Sequence, residues 1–156
     1  RQNCLQLLEK GESVMVFPEG VNGIAKSTPD YYKLQNFTQG FFRIALSAQV
    51  EILPVAVVGA EETYPYVYQA KNIAKKFGLP ALPLSPSMLL GPIGFLPLPS
   101  PVDIYVGKPY KPPADLNGEE QDKNIKEHIY TIENQIKKMI FEGRKPRRPF
   151  WANKKI

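Results

Sequence analysis

Val14-Met15-Val16-Phe17-Pro18-Glu19-Gly20 is the segment on which the prediction of the fold depends. It begins with apolar residues typical of a strand covered on both faces, and Pro18 ends that strand because it has no backbone N–H to donate. Gly20 permits a turn that most residues could not make. Glu19 is therefore predicted at the carboxyl end of a buried strand, where open α/β sheets bind ligands. The alternative is that Glu19 caps a following helix.

A strand, helix and strand with short joints are predicted from here to residue 58. Residues 21–36 show no sustained period and are predicted to form a long loop. Thr38 is the predicted cap of a helix over 39–48, and residues 52–58 are predicted to form a second buried strand. This order favours a parallel crossover. We expect an α/β fold with a mixed, largely parallel sheet flanked by helices.

The remaining elements follow from periodicity and from breakers. We predict helices over 3–10, 66–77 and 119–141, a strand over 103–106 and a loop over 109–117, with Gly143 ending the last helix. Five isoleucines of that helix share one face: Ile125, Ile129, Ile132, Ile136 and Ile140. His128 lies beside this face, so a structural or solvated role is expected for it.

Residues 77–102 contain no charged side chain. Seven prolines in this stretch forbid a continuous helix, so it is not predicted to span a bilayer. Two interpretations of this stretch remain open. The stretch is either a buried connection that lines the core or an irregular apolar segment in a membrane interface.

Length and composition indicate one soluble globular domain, because 156 residues are too few for two ordinary ones. We predict a domain over 1–143 and a basic tail over 144–156. The formal charge of +5 suits an anionic partner. The tail contains Phe150 and Trp151 among its cations, which favours either an anchor on anionic lipid or a solvated extension. No nucleic-acid recognition motif is present, so nucleic acid is not an expected partner.

A single cysteine, Cys4, excludes an internal disulfide and indicates a reducing, cytoplasmic setting. The sequence has no Cys/His cluster of the kind that binds a metal, and no metal is expected.

Phe17-Pro18-Glu19-Gly20 resembles the third sequence block of the glycerolipid acyltransferases, the family that includes 1-acylglycerol-3-phosphate acyltransferases. Residues 37–45 are similar to the segment that precedes the family's next strand. Residues 52–59 are similar to the fourth block, in which Pro54 opens a strand. Residues 60–65 and 89–99 resemble a bacterial branch of the family. The resemblance covers about residues 1–107.

The resemblance implies an O-acyltransferase of phospholipid biosynthesis. It would move a fatty acyl chain from an acyl-CoA or acyl-carrier-protein thioester onto a glycerolipid hydroxyl, such as that of a lysophosphatidate. The thioester is a co-substrate, and no further cofactor is implied. The expected location is peripheral, at the cytoplasmic face of a membrane. The alternative is a non-catalytic lipid-binding or membrane-docking module on the same scaffold.

The family's base belongs to a first block, in which a His is followed five residues on by an Asp, upstream of the Pro-Glu-Gly corner. The one histidine here, His128, lies downstream and has Glu133 five residues on. We therefore expect this chain to be the C-terminal portion of an acyltransferase domain whose base lies before Arg1. No catalytic residue is predicted within it, and alone it should be inactive.

The resemblance implies a substrate-binding role for the corner, Phe17 to Gly20. Glu19 would help to place the acceptor, and Pro54 would shape the acyl side of the cleft. Backbone N–H groups near Gly20 could bind a phosphate. We expect Glu61 and Glu62, which follow the second strand, to cap residues 63–66 rather than to position a substrate.

Many family members place a small residue and then Arg or Ser after the glycine, where this chain has Val21 and Asn22. Three nearby cations could replace that contact with phosphate: Lys26, Lys33 and Arg43. Arg43 is the best candidate, because a guanidinium can hold a phosphate with two hydrogen bonds. The alternative is that Arg43 is an ordinary surface charge of its helix.

Overall fold

A computed structural model describes the chain except for residues 1, 25, 27–29, 64–67, 70–75, 77, 79–82, 85, 114–120 and 146–156. The elements, in chain order, are α1 (Gln2–Glu9), α2 (Val21–Ile24), α3 (Gly40–Ala48), β1 (Val55–Val58), a 3₁₀ helix (Ala60–Thr63), β2 (Tyr68–Gln69), β3 (Pro83–Leu84), a 3₁₀ segment (Pro86–Phe95), β4 (Asp103–Val106) and α4 (Gln121–Arg144). The mixed α/β class is as predicted. None of the described helices is long and apolar enough to cross a membrane.

Strand pairing differs from the predicted parallel crossover. β1 runs antiparallel to β4, with Val55 opposite Val106 and Val58 opposite Asp103. β2 and β3 are also antiparallel. Among the described residues no parallel pair occurs. A parallel crossover would have required residues 14–17 to form a strand beside β1.

Residues 14–17 do not form the buried strand that was predicted. Met15 is 82% exposed and Phe17 is 74% exposed. A strand needs a neighbour to receive its backbone hydrogen bonds and side chains to cover its faces. No described segment supplies that neighbour, so the apolar run forms no strand in the described part of the chain.

β1 is shorter than the predicted 52–58, because Pro54 interrupts the ladder. Ile52 and Tyr110 exchange both backbone hydrogen bonds, of 2.8 and 2.7 Å, in an isolated bridge. Pro54 has no N–H but its carbonyl accepts a hydrogen bond from the Gly107 N–H at 2.8 Å. The regular strand then begins at Val55.

The core lies between one face of the β1–β4 sheet and α4. Ala56 and Val58 point to this face, and their neighbours in β1, Val55 and Val57, point outward. The five isoleucines of α4 are buried as predicted, with Phe42 beside them. One apolar helical stripe therefore covers one face of the sheet.

α4 does not end at Gly143 as predicted, but continues to Arg144. A Cβ atom on Gly143 would lie 2.5 Å from Tyr105 Cε2 and 3.1 Å from Val58 Cγ2. This glycine therefore allows the helix to approach the sheet closely, and it does not act as a helix terminator. The predicted division between a domain over 1–143 and a tail stays a prediction, because residues 146–156 lie outside the described part.

α3 matches its prediction except at its cap. Gln39, not Thr38, is the N-cap, and it makes no side-chain capping bond. Phe42 is buried and stacks on His128, with the ring centroids 5.7 Å apart and the planes 6° apart. His128 Nδ1 is also hydrogen-bonded to the Tyr110 hydroxyl. Burial raises the pKa of the Tyr110 phenol, and His128 has the structural role expected for it.

Tyr68–Gln69 is a strand, so the helix predicted over 66–77 is wrong at these two residues, and most of its other positions lie outside the described part. The described residues of the uncharged stretch form no continuous helix and include β3 and a 3₁₀ segment. Its 3₁₀ segment is kinked at Gly91, whose φ is 66°. Near its end, the Leu98 N–H donates to the Thr63 carbonyl at 2.8 Å, which ties this stretch to the 3₁₀ helix after β1.

Candidate functional site

The Pro-Glu-Gly corner is a tight turn. The Gly20 N–H donates to the Phe17 carbonyl at 3.1 Å, and Gly20 has a φ of 58°, which favours glycine. The Pro18 carbonyl accepts a hydrogen bond from the Thr38 N–H at 3.0 Å. α2 begins directly after the turn, at Val21. The corner is thus held against the segment that leads into α3.

The Glu19 carboxylate is folded back into the protein. Its Oε2 lies 3.0 Å from Lys26 Nζ and accepts a hydrogen bond from the Gln35 N–H at 2.9 Å. A Cβ atom on Gly23 would lie 2.7 Å from Glu19 Cβ, so the absence of a side chain at Gly23 makes room for this carboxylate. The Glu19 side chain is 16% exposed and can therefore be reached from solvent.

Lys26 joins the corner to the end of β1. Its Nζ also lies 3.3 Å from Glu61 Oε1, and its side chain is only 6% exposed. Glu61 Oε2 accepts a hydrogen bond from the backbone N–H of Tyr32, a residue with a positive φ of 63°. We call Glu19, Lys26 and Glu61 the Lys26 bridge. Each of its two carboxylates also accepts one backbone N–H, so both are fixed in orientation.

Glu62 also binds Tyr32, the residue whose backbone N–H donates to Glu61. Its Oε1 accepts a hydrogen bond from the Tyr32 hydroxyl, and its Oε2 accepts one from Ser100 Oγ at 3.1 Å. The Arg144 guanidinium lies 4.7 Å from the centroid of the Tyr32 ring, in a cation–π contact. Glu61 and Glu62 were expected to cap residues 63–66. Residues 64–66 lie outside the described part, so this capping stays a prediction. Within the described part, both carboxylates bind partners on distant segments.

The other predicted site residues are spread more widely. Phe17 projects into solvent, while Pro54 is buried immediately before β1. Lys33 is exposed and lies 3.0 Å from Asp30 Oδ1. Arg43 is half-buried and donates from Nη2 to Gln39 Oε1 at 3.1 Å. Of the three candidate cations, the structure brings Lys26 to Glu19.

Sequence reasoning missed the Lys26–Glu61 pair and the contacts of Tyr32 and Gln35. One signal was available, namely two adjacent carboxylates directly after a strand, where a buried partner can lie. No spacing rule links residues 26 and 61, because ion pairs of this separation depend on the path of the chain.

Three other features of the described part bear on its chemistry, namely the histidine, the acidic side chains and an open cleft. His128, the one histidine, is engaged by Tyr110 and Phe42. No group of three or more His, Cys, Asp or Glu side chains among the described residues could hold a metal ion. An open cleft of about 650 Å³ lies elsewhere, between residues 106–110 and α4, and none of the Lys26 bridge lines it. The bridge can orient one carboxylate towards a hydroxyl or amine donor.

Comparison with known proteins finds one matching family model and several relatives. A family model described as Acyltransferase matches residues 1–58, which include the corner and β1. Uncharacterized proteins of Mycobacterium tuberculosis and Mycobacterium leprae are 43% and 44% identical over 106 residues, which is 67% of this chain. A 1-acyl-sn-glycerol-3-phosphate acyltransferase of Chlamydomonas reinhardtii is 33% identical over 64 residues, 41% of this chain and 18% of that protein.

The chain spans about 30% of the length of the mycobacterial relatives. No solved structure gives a significant match.

Proposed function

We propose, from the premise that this chain belongs to the glycerolipid acyltransferase family, that its protein moves a fatty acyl chain from a thioester onto a glycerolipid hydroxyl. One observation carries the proposal. Within the segment matched by the family model, the Glu19 carboxylate is held in a fixed orientation by Lys26 and by the Gln35 N–H. A carboxylate held in this way can accept a hydrogen bond from an acceptor hydroxyl and so place it for reaction.

The proposed acceptor is lysophosphatidate-like, and the proposed donor is acyl-CoA or an acyl-carrier protein. Support for this acceptor is the name of the algal relative, a 1-acyl-sn-glycerol-3-phosphate acyltransferase. In such a transfer a base takes the hydroxyl proton, the oxygen attacks the thioester carbonyl and the thiol leaves. We assign the base to a His-x4-Asp segment of the whole protein, outside the sequence described.

The proposed location is the membrane face, where a glycerolipid acceptor resides. Leu89 is 91% exposed, and Leu90 and Ile93 on the same 3₁₀ segment are exposed as well. Residues 77–102 contain no charge. An uncharged, exposed and irregular segment is suited to shallow insertion between headgroups.

A non-catalytic lipid-binding module is the second candidate. The observation that favours it is that His128 is hydrogen-bonded to Tyr110 and stacked on Phe42. These contacts leave the described residues without a histidine that could act as a base. The two candidates differ in one requirement. Acyl transfer needs the His-x4-Asp segment in the whole protein, whereas lipid binding does not.

Glu19→Gln in the whole protein tests the proposal. We expect acyl transfer to fall about ten- to a hundredfold, which corresponds to one charged hydrogen bond of about 1.5–3 kcal/mol, with a nearly unchanged melting temperature. Glu12→Gln is the matched control, because Glu12 is exposed and close in sequence. Loss of activity accompanied by unfolding would show that Glu19 holds the corner together and does not place the acceptor.

A further inference from the structure

We propose that Lys26 is a positioning residue that acts through Glu19, and that the Lys26 bridge presents Glu19 Oε1 to a neutral hydroxyl and not to a phosphate. The inference rests on the proposed function and names the part of the acceptor that binds at the corner.

The Lys26 ammonium group is buried and paired. Its side chain is 6% exposed, and Nζ lies 3.0 Å from Glu19 Oε2 and 3.3 Å from Glu61 Oε1. An ammonium group removed from water is costly unless it is paired. Lys26 is therefore committed to carboxylates of the protein itself, and does not act as the phosphate-binding cation that the sequence suggested.

The carboxylate oxygens of Glu19, Glu61 and Glu62 differ in how they are engaged. Both oxygens of Glu61 are engaged, one by Lys26 and one by the Tyr32 N–H. Both oxygens of Glu62 are engaged as well, by the Tyr32 hydroxyl and Ser100 Oγ. Glu19 differs, because Oε2 takes both of its donors and Oε1 has no partner among the described residues. Glu19 Oε1 is thus the oxygen that is available to a ligand.

The net charge of the Lys26 bridge disfavours an anionic ligand. Glu19 and Glu61 share one ammonium group, so the bridge retains an excess negative charge. A phosphate would be repelled at this position, whereas a hydroxyl can donate to Oε1 in a charge-assisted hydrogen bond. An acceptor that carries a phosphate must therefore place it on cations outside the bridge.

A double-mutant cycle on kcat/KM in the whole protein tests the positioning role. Lys26→Met is expected to lower kcat/KM about tenfold or more. Combined with Glu19→Gln, it should cause little further loss, because Lys26 acts through Glu19. Lys26→Arg should restore most of the activity. Lys126→Met is the matched control, since Lys126 is exposed on α4 and has no proposed role in acceptor binding, and it should leave kcat/KM unchanged.

Different outcomes of the cycle separate the two proposals. If the losses from Lys26→Met and Glu19→Gln multiply, Lys26 does not act through Glu19, and the inference is wrong while the proposed function stands. If Glu19→Gln leaves activity unchanged, the role of Glu19 in the proposed function is wrong and the inference falls with it. If Lys26→Met does not fold, Glu61→Gln takes its place in the same cycle, because it removes one contact and keeps the shape.

Thermal shift with inorganic phosphate, at constant ionic strength, tests the charge argument without any activity. A phosphate that binds the folded protein raises its melting temperature. We expect any such rise to be the same in the unmodified protein and in Lys26→Met. A rise that disappears in Lys26→Met but persists in Lys126→Met would show that Lys26 binds phosphate, and would overturn the inference.

Discussion

Three cations close to one another in sequence differ completely in their surroundings. Lys26 is buried between two carboxylates, Lys33 forms an exposed ion pair with Asp30, and Arg43 is half-buried beside Gln39. Exposed ion pairs contribute little because water screens them, whereas a buried pair becomes costly once one partner is removed. Three side chains with the same formal charge therefore differ in their burial and in their partners.

Arg43 remains the proposed cation for the acceptor phosphate. Arg43→Ala should raise the KM for a 1-acylglycerol 3-phosphate about tenfold and change kcat little, because it removes a contact made equally before and during reaction. Steady-state kinetics of the whole protein, with the exposed Lys126→Ala as control, would measure this. If the KM is unchanged, Arg43 has no role in acceptor binding.

At the scale of elements, the packing of α4 on the sheet determines where the site is held. The helix contributes an isoleucine stripe and, at its end, a glycine against Tyr105 and Val58. Next along the helix, Arg144 lies over the Tyr32 ring, and Tyr32 contacts both Glu61 and Glu62. The end of α4 is therefore linked through Tyr32 to Glu61 of the Lys26 bridge.

Gly143→Ala tests this close approach. Alanine favours a helix by about 1 kcal/mol over glycine, but a Cβ atom 2.5 Å from the Tyr105 ring forces a shift that costs about 1–3 kcal/mol. We expect overpacking to prevail and the free energy of unfolding to fall, as measured by urea denaturation. Gly40→Ala, at the start of α3 where the added atom meets nothing within 4 Å, should not destabilise the protein. A more stable Gly143→Ala variant would contradict the packing described.

Over the whole molecule, the described residues expose apolar side chains at several places, and two of these are candidates for membrane contact. One is the 3₁₀ segment with Leu89, Leu90 and Ile93, and the other is the outer face of the β1–β4 sheet, which includes Val57 and Ile104. Only the first lies within the uncharged stretch of residues 77–102. We propose that this segment, together with the basic tail, contacts the membrane.

Vesicle binding separates the contributions of the segment and the tail. Changing Leu89, Leu90 and Ile93 to serine should weaken binding to neutral vesicles, since each buried apolar side chain contributes about 1.5–3 kcal/mol. Deleting residues 146–156 should instead weaken binding to anionic vesicles and flatten its salt dependence. The control, Val57→Thr with Ile104→Thr, should bind like the unmodified protein. Equal binding of the deleted and intact proteins across a salt series would identify the tail as a solvated extension.

The sequence alone determined the features that depend on neighbouring residues. The isoleucine period predicted the buried face of α4, the Pro-Glu-Gly residues predicted a turn, and the family resemblance followed from residues close together along the chain. These patterns are local because helical periodicity and the missing N–H of proline act within a few residues.

Only the tertiary structure decided the antiparallel pairing of β1 with β4, the burial of Lys26 against Glu61, and the packing role of Gly143. Each of these depends on two segments that come into contact only when the chain has folded. The same local sequence is compatible with several different contacts of this kind. Residues 14–17 show the reason most clearly. Their apolar character predicted a buried strand, but a strand forms only where a neighbour completes its hydrogen bonds.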